Sequence, residues 1–544
     1  MATAITERQY QGQVHEHSRR LMSAWMDELG RAEAEGVPTG ALMISGNCVE
    51  LLRACHILPM FPEVTALQNA IRKKSLPLIL KAEQAGYSSD NCAYVKADIG
   101  LFLQGGMGPG KPIPFPTITV CNYVGCNVYV KWFEHLADLS GSKLFMLDVP
   151  FCRTGEPSPA DIQYVVAQLK ELIALCESVS GKKFDIDELR EILAYAARAE
   201  EGYARAKDLC KRHPAPFDAY FDAINMMGPI NVLRGTREGA EFFDAAVVEF
   251  ESLVAQGYGP LSEERFRTVV EGPPPYPFYK SFRNLFAKWG AVAVQSTYST
   301  VGGIWEWGFR HDPRHPLESI AEQMLSENLT NRSIVARYAQ IKRYVEEWEA
   351  DALIIHSIKS CRLFSAGQGD MRDYFTRELG VPTLMVESDL EDPRYYAEAQ
   401  IKNRIDAFFE SLEHKKVVGR AAAAGEASSS RGSAGRCVLP SGSRPTATSA
   451  WRGPTCSRSW SATGWPSASS PTATWRTRTP RAARSASAPM ASSRSSTIRR
   501  ASRRRFAAPI RGRREGRTRA GRPSHGTTLS PSWRASSMAS GRGV

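Results

Sequence analysis

Residues 350–367 read ADALIIHSIKSCRLFSAG. The apolar, β-branched run from Ala352 to Ile358 has the length and composition of a buried strand. It ends in Lys359, Ser360 and Cys361, and a glycine-containing helix start follows. A strand that feeds a helix in this way belongs to a parallel α/β sheet. In such sheets ligands gather outside the carboxyl ends of the strands, where Cys361 would lie.

The same rhythm runs through residues 35–415. In the first half, 41–45, 117–123 and 143–150 read as strands, separated by helical patterns. The segment SPADIQYVVAQLKELIALCESVSG carries Ser158 as N-cap, Pro159 at the first helical position and Gly181 as stop. In the second half, 291–298, 351–358 and 382–389 read as strands. The fold class expected is α/β. Two lobes, 35–230 and 231–415, would each hold a parallel sheet flanked by helices, beside a peripheral N-terminal helical segment, 1–34.

From about Val418 the composition changes. Residues 421–544 hold 23 Arg, two acids and five Trp, with no Lys, Asn, Asp, Gln or Tyr. Residues 1–420 carry 46 basic and 55 acidic side chains, a net of −9, so the overall charge of +12 comes from the tail. Disordered tails usually keep Lys, Glu and Gln and avoid Trp. Residues 416–544 are therefore expected to be a disordered, frameshifted or read-through terminus rather than an RNA-binding tail. An intact mass of the native protein that ends near 415–425 would settle that choice. No run of about 18 apolar residues and no leader-like segment is present, so a soluble, cytoplasmic protein is expected, with neither membrane nor nucleic-acid partner. Its eleven cysteines are then reduced thiols, suited to metal binding or catalysis.

Three cysteines stand at element junctions: Cys92 in DNCAYVKADIG, Cys126 after strand 117–123, and Cys361. Helix N-termini would favour the thiolates of Cys126 and Cys361. No CxxC exists, which argues against a zinc site. Three dispersed thiolates suit a cluster with one iron left for another ligand, although a buried inert thiol is the ordinary alternative for any one of them. Cys121 is the substitute candidate; Cys48, Cys55 and Cys152 are weaker ones. GGMGPGKP (105–112) imitates a phosphate loop, but Pro112 replaces the magnesium-binding hydroxyl, and a plain loop is expected. GGIWEWGFRHDPRHP (302–316) would lie at the carboxyl edge of the second sheet, which makes His311 and His315 candidate proton donors. Asp148 occupies the corresponding edge of the first.

Taken together, DNCAYVKADIG, CNYVGCNVYVKWFEHLA, LFMLDVPF, DALIIHSIKSC and PTLMVESDLEDPRYYAEAQIKNRIDAFFESL resemble the 2-hydroxyacyl-CoA dehydratase / benzoyl-CoA reductase family over residues 35–413. The likeness is strongest to the larger, B-type cluster-binding subunits of its ATP-dependent reductase branch. The resemblance implies one 4Fe-4S cluster held by Cys92, Cys126 and Cys361, and a smaller homologous cluster subunit as partner. It also implies ATP-hydrolysing iron–sulfur activase-type subunits fed by ferredoxin, with ATP bound by those subunits and not by this chain. The implied reaction is two-electron reduction of benzoyl-CoA to cyclohexa-1,5-diene-1-carbonyl-CoA in anaerobic aromatic degradation. The alternative within the family is a 2-hydroxyacyl-CoA dehydratase subunit, a lyase that recycles its electron. His311, His315 or a neighbouring tyrosine would supply protons.

Overall fold

The computed structural model describes residues 5–431 apart from 9, 11, 108–111, 124, 153–155, 301–302 and 328–329, with backbone alone for 417–431. The Arg-rich tail beyond 431 and the centre of the 105–112 loop lie outside the described residues.

Among the described residues, eight strands form two four-stranded parallel sheets. The first contains β1 (Thr39–Ala41), β2 (Leu58–Met60), β3 (Ile118–Tyr123) and β4 (Lys143–Asp148), in the order β2-β1-β3-β4. The second contains β5 (Phe266–Glu271), β6 (Ala291–Ser296), β7 (Ala352–Ile358) and β8 (Thr383–Ser388), in the order β6-β5-β7-β8. The two orders are the same topology used twice, and the expected α/β class holds. All seven residues of β7 are buried, as an apolar strand in the middle of a helix-covered sheet should be.

Two strands escape the sequence pattern. β2 is three residues long and contains Pro59, which restricts it to a sheet edge. β5 sits in mid-sheet but carries Arg267 and Glu271, both buried. Arg267 is tolerated because it donates to the carbonyls of Trp348 and Cys210 and pairs with Glu264. The first strand also starts and ends earlier than expected. After Ala41 the chain leaves the sheet, and the Ile44 amide donates to the Glu63 carboxylate instead.

Helices cover the sheets. Pro159–Ser180 has the capping box that its sequence announces, with Ser158 and Asp161 bonding reciprocally, and ends at Gly181 with φ of 68°. The Val14–Glu35 helix buries Trp25 and Leu29, and the Trp25 indole donates to the Pro59 carbonyl at 3.1 Å. Full burial of a leucine such as Leu29 contributes about 1.5–3 kcal/mol. The last helix, Glu398–Arg431, runs past the expected boundary at 415, where Ala421–Ala424 supply strong helix formers. Among the described residues no helix is long and apolar enough to cross a membrane.

Candidate functional site

Cys92, Cys126 and Cys361 each occupy the residue before a helix: Ala93–Phe102, Asn127–Ser140 and Arg362–Ser365 respectively. Cys126 follows β3 and Cys361 follows β7, the third strand along each sheet. Their backbones match, with φ, ψ of −102°, 101° and −107°, 101°. The repeated topology thus delivers two thiols in equivalent positions. Gly125 is required for this turn. Its φ is 88°, and a Cβ there would lie 2.0 Å from the Thr330 carbonyl oxygen.

All three thiols line one cavity of about 400 Å³. Its walls include Leu67, Val95, Val128, Leu363, Phe364 and Leu390, and its polar atoms come from Ser45, Glu63, Tyr94, Tyr129, Tyr298 and Ser360. A wider depression of about 780 Å³ beside Gln13 and Glu249 contains no cysteine. Ser360 couples two of the thiol loops: its hydroxyl accepts from the Ala93 amide at 3.1 Å. Its own amide donates to Asp389 at 2.9 Å. Asp389 also accepts from the amides of Glu391 and Asp392.

Burial pushes all three thiols towards the neutral form. It raises Cys92 well above the thiol range and Cys361 to about 12, and it raises Cys126 as well. Backbone amides oppose this at each site: Val95 at Cys92, Tyr129 and Val128 at Cys126, Phe364 and Leu363 at Cys361. The expected thiolates are therefore not obtained from the helix N-termini alone.

Glu63 is also raised by burial, against bonds from the Tyr129 hydroxyl and the Ile44 amide. Tyr276 donates to the Tyr298 hydroxyl at 2.7 Å, and the Tyr298 and Tyr94 hydroxyls are 3.5 Å apart. The cavity lining thus combines three thiols with the phenols of Tyr94, Tyr129 and Tyr298.

Among the described residues, one set of three potential ligand atoms converges as around a single ion: Glu50, Glu200 and His311. Arg234 already fills that centre. It bonds Glu50 and, at 3.0 Å, Asn47, and lies 3.9 Å from Glu200. His311 contacts Glu200 at 2.6 Å. All four charged side chains are fully buried, and their charges cancel when His311 is protonated. This is a closed ion-pair network.

His311, placed by its sequence among possible proton donors, is therefore committed to the network, because Glu200 draws it inward. His315 is exposed just before the Pro316–Ser326 helix. Neither lines the thiol cavity, and nor does Asp148, which accepts from Tyr164 at 2.9 Å. Cys121 is buried in β3 outside the cavity lining, its thiol raised to about 12 by burial. Cys48 and Cys55 flank the Val49–Ala54 helix in the core, and Cys152 bridges Arg332 elsewhere. Glu63, Tyr94, Tyr129 and Tyr298 escape individual notice in the sequence. A signal does exist: each junction cysteine is followed two or three residues later by a cavity aromatic, Tyr94, Tyr129 or Phe364.

The fold and the cavity define an α/β protein with three thiols at strand and helix junctions. Residues 45–412 match the family described as 2-hydroxyglutaryl-CoA dehydratase, D-component, and the chain belongs to that family. It is 38% identical over 407 residues to a benzoyl-CoA reductase subunit, the B-type one, of Thauera aromatica, covering 73% of this chain and 94% of that protein. It is 27% identical over 370 residues to the (R)-phenyllactyl-CoA dehydratase alpha subunit of Clostridium sporogenes, covering 68% and 88%. The (R)-2-hydroxyisocaproyl-CoA dehydratase alpha subunit of Clostridioides difficile is 29% identical over 393 residues, covering 72% and 94%.

Proposed function

We propose that this chain is the cluster-binding catalytic subunit of an ATP-dependent benzoyl-CoA reductase, with Cys92, Cys126 and Cys361 as ligands of a 4Fe-4S cluster. The observation that carries the reading is the meeting of three soft donors from three helix N-termini in one cavity. Their sulfurs do not form an ion-sized group like that of Glu50, Glu200 and His311. Three thiols from three separate loops fit a cluster, whose cysteines bind different irons, better than a single metal ion. When bound, the cluster supplies low-potential one-electron transfer and an iron without a cysteine ligand.

The chain's own residues supply the rest. Apolar walls exclude water around a strongly reducing aromatic intermediate. The cavity volume, about 400 Å³, falls in the range of small-molecule sites. Tyr94 and Tyr298 line the cavity, and the Tyr276 hydroxyl donates to that of Tyr298. Glu63 is a second acid in the lining, held by Tyr129. These groups are the candidate proton donors. In this reading a smaller homologous subunit completes the catalytic unit. Separate activase-type subunits hydrolyse ATP and pass on electrons from ferredoxin, and the complex works in the cytoplasm.

The second reading, a 2-hydroxyacyl-CoA dehydratase subunit, is favoured by the names of the family and of two of the relatives described above. Electron stoichiometry separates the two. The complex, supplied anaerobically with benzoyl-CoA, ATP and a counted reductant, is expected to form cyclohexa-1,5-diene-1-carbonyl-CoA with two electrons consumed per product. Turnover of a 2-hydroxyacyl-CoA on catalytic amounts of reductant, with benzoyl-CoA untouched, would overturn the reductase reading in favour of the lyase.

A further inference from the structure

The thiol cavity opens at a definable place. Among the described residues that line it, only Asn127 and Arg362 are exposed. Each directly follows one of the two equivalent cysteines, Cys126 and Cys361. The repeated topology that delivers the thiols therefore also sets two edges of the cavity mouth.

The two edges differ in charge. The Asn127 amide oxygen accepts from the Tyr123 hydroxyl at 2.7 Å. A shallow depression of about 270 Å³ shares Asn127 with the cavity and is lined by Val130, Met146 and the exposed acid Asp148. An anion is not welcome on that side. The other edge is Arg362, the one cation among the described lining residues.

Arg362 is fixed at its backbone and free at its tip. Its carbonyl accepts from the Ala366 amide at 2.9 Å, and the Cys361 carbonyl accepts from the Ser365 hydroxyl at 2.7 Å. Its guanidinium makes no hydrogen bond or ion pair among the described residues. Other cations of this region are engaged. Lys359, two residues earlier, meets Glu387 at 3.0 Å. Arg337, packed over the ring of the cavity residue Phe364, meets Glu271 at 3.2 Å. Residues 1–420 carry a net charge of −9, so an anion held at this mouth needs a local cation. A guanidinium supplies one with a planar fork of N–H donors that matches phosphate oxygens.

A coenzyme A thioester divides across such a mouth. Its acyl group suits the apolar walls, whereas its phosphates lose too much hydration to follow it inside and stay at the rim. We propose that Arg362 is a phosphate anchor, its guanidinium binding a phosphate of the acyl-CoA whose acyl group occupies the thiol cavity. The inference rests on the acyl-CoA reading above and holds for both of its branches, since each acts on a CoA thioester. A rim contact of this kind supplies salt-sensitive attraction and orients the ligand. It takes no part in moving electrons or protons.

The test is equilibrium binding to the full protein with its partner subunit, without turnover. The probes are benzoyl-CoA and S-benzoylpantetheine, which keeps the acyl group and the amide arm but has no phosphate. Arg362→Gln should weaken benzoyl-CoA binding about fivefold at low ionic strength and leave S-benzoylpantetheine binding as it was. Added salt should erase most of that difference between wild type and variant. Arg362→Lys should keep most of the affinity, and Lys359→Gln all of it. Unaltered benzoyl-CoA affinity in Arg362→Gln, equal weakening of both thioesters, or loss of the partner subunit from that variant would overturn the proposal. If wild type takes only a 2-hydroxyacyl-CoA, the same pair of probes carries that acyl group. A wild type that binds no acyl-CoA of either kind would overturn the acyl-CoA reading itself, and the anchor with it.

Discussion

Two buried polar centres lie within this fold, and they solve the burial of ionisable groups in opposite ways. At Glu50, Glu200, Arg234 and His311 the charges are complementary and the hydrogen bonds are made inside the protein. Burial alone would push Glu50 up, yet Arg234 and His311 more than offset it and hold the carboxyl below its ordinary range. Around Cys92, Cys126 and Cys361 no cationic side chain offsets burial, and backbone amides only partly oppose its push towards the neutral thiols. The first centre is complete as it stands. The second leaves three buried thiols without a complementary charge, which is where the proposed cluster would sit. Closure marks structure and incompleteness marks function, although both centres are equally rich in metal-binding residue types.

That contrast can be broken at either end. The largest effect on stability should come from Arg234→Met, which strands Glu50 and Glu200 in the core. Loss of one partner from a buried ion pair costs about 3–5 kcal/mol, and denaturant unfolding would measure it. A loss under 1 kcal/mol would mean that the network is not closed as described.

The next effect is a pH dependence. Burial pulls His311 down, but Glu200 and Glu50 raise its folded pKa above the ordinary 6.5, against Arg234. A raised folded pKa gives stability that is fully present below 6.5 and lost as pH rises through the folded value. The stability gap between wild type and His311→Gln should therefore shrink with rising pH above 6.5. A gap that widens would reverse the assigned charge.

Smallest is the hydroxyl that couples two thiol loops. Ser360→Ala leaves the Ala93 amide without its partner and should cost about 1 kcal/mol, seen as a lower midpoint of thermal unfolding. The iron of the reconstituted protein should also be lost faster to a chelator. Unchanged iron release would mean that Ser360 does not position Cys92 and Cys361.

Much of this was legible in the sequence because the relevant physics is local. The run Ala352–Ile358 is apolar enough to be a strand without knowledge of its neighbours, and the position of Cys361 follows from it. The Ser158–Asp161 capping box and Gly181 mark a helix by themselves. Arg267 and Glu271 hid β5, since a buried arginine is explained only by carbonyls at Trp348 and Cys210 far along the chain. His311 looked like a proton donor for the same reason. Its partner Glu200 is 111 residues away, and no local pattern announces the pair. The cavity tyrosines depend on three separate chain segments meeting, which only the folded structure displays.

The most direct test is iron and acid-labile sulfide on anaerobically purified protein co-expressed with its partner subunit. Wild type would be compared with Cys361→Ala and with Cys121→Ala as a buried-thiol control. About four irons and four sulfides are expected in wild type and in Cys121→Ala, with both depleted in Cys361→Ala. An iron-free wild type that remains folded and paired, or a Cys361→Ala variant with a full complement, would contradict the assignment of the three junction cysteines as cluster ligands.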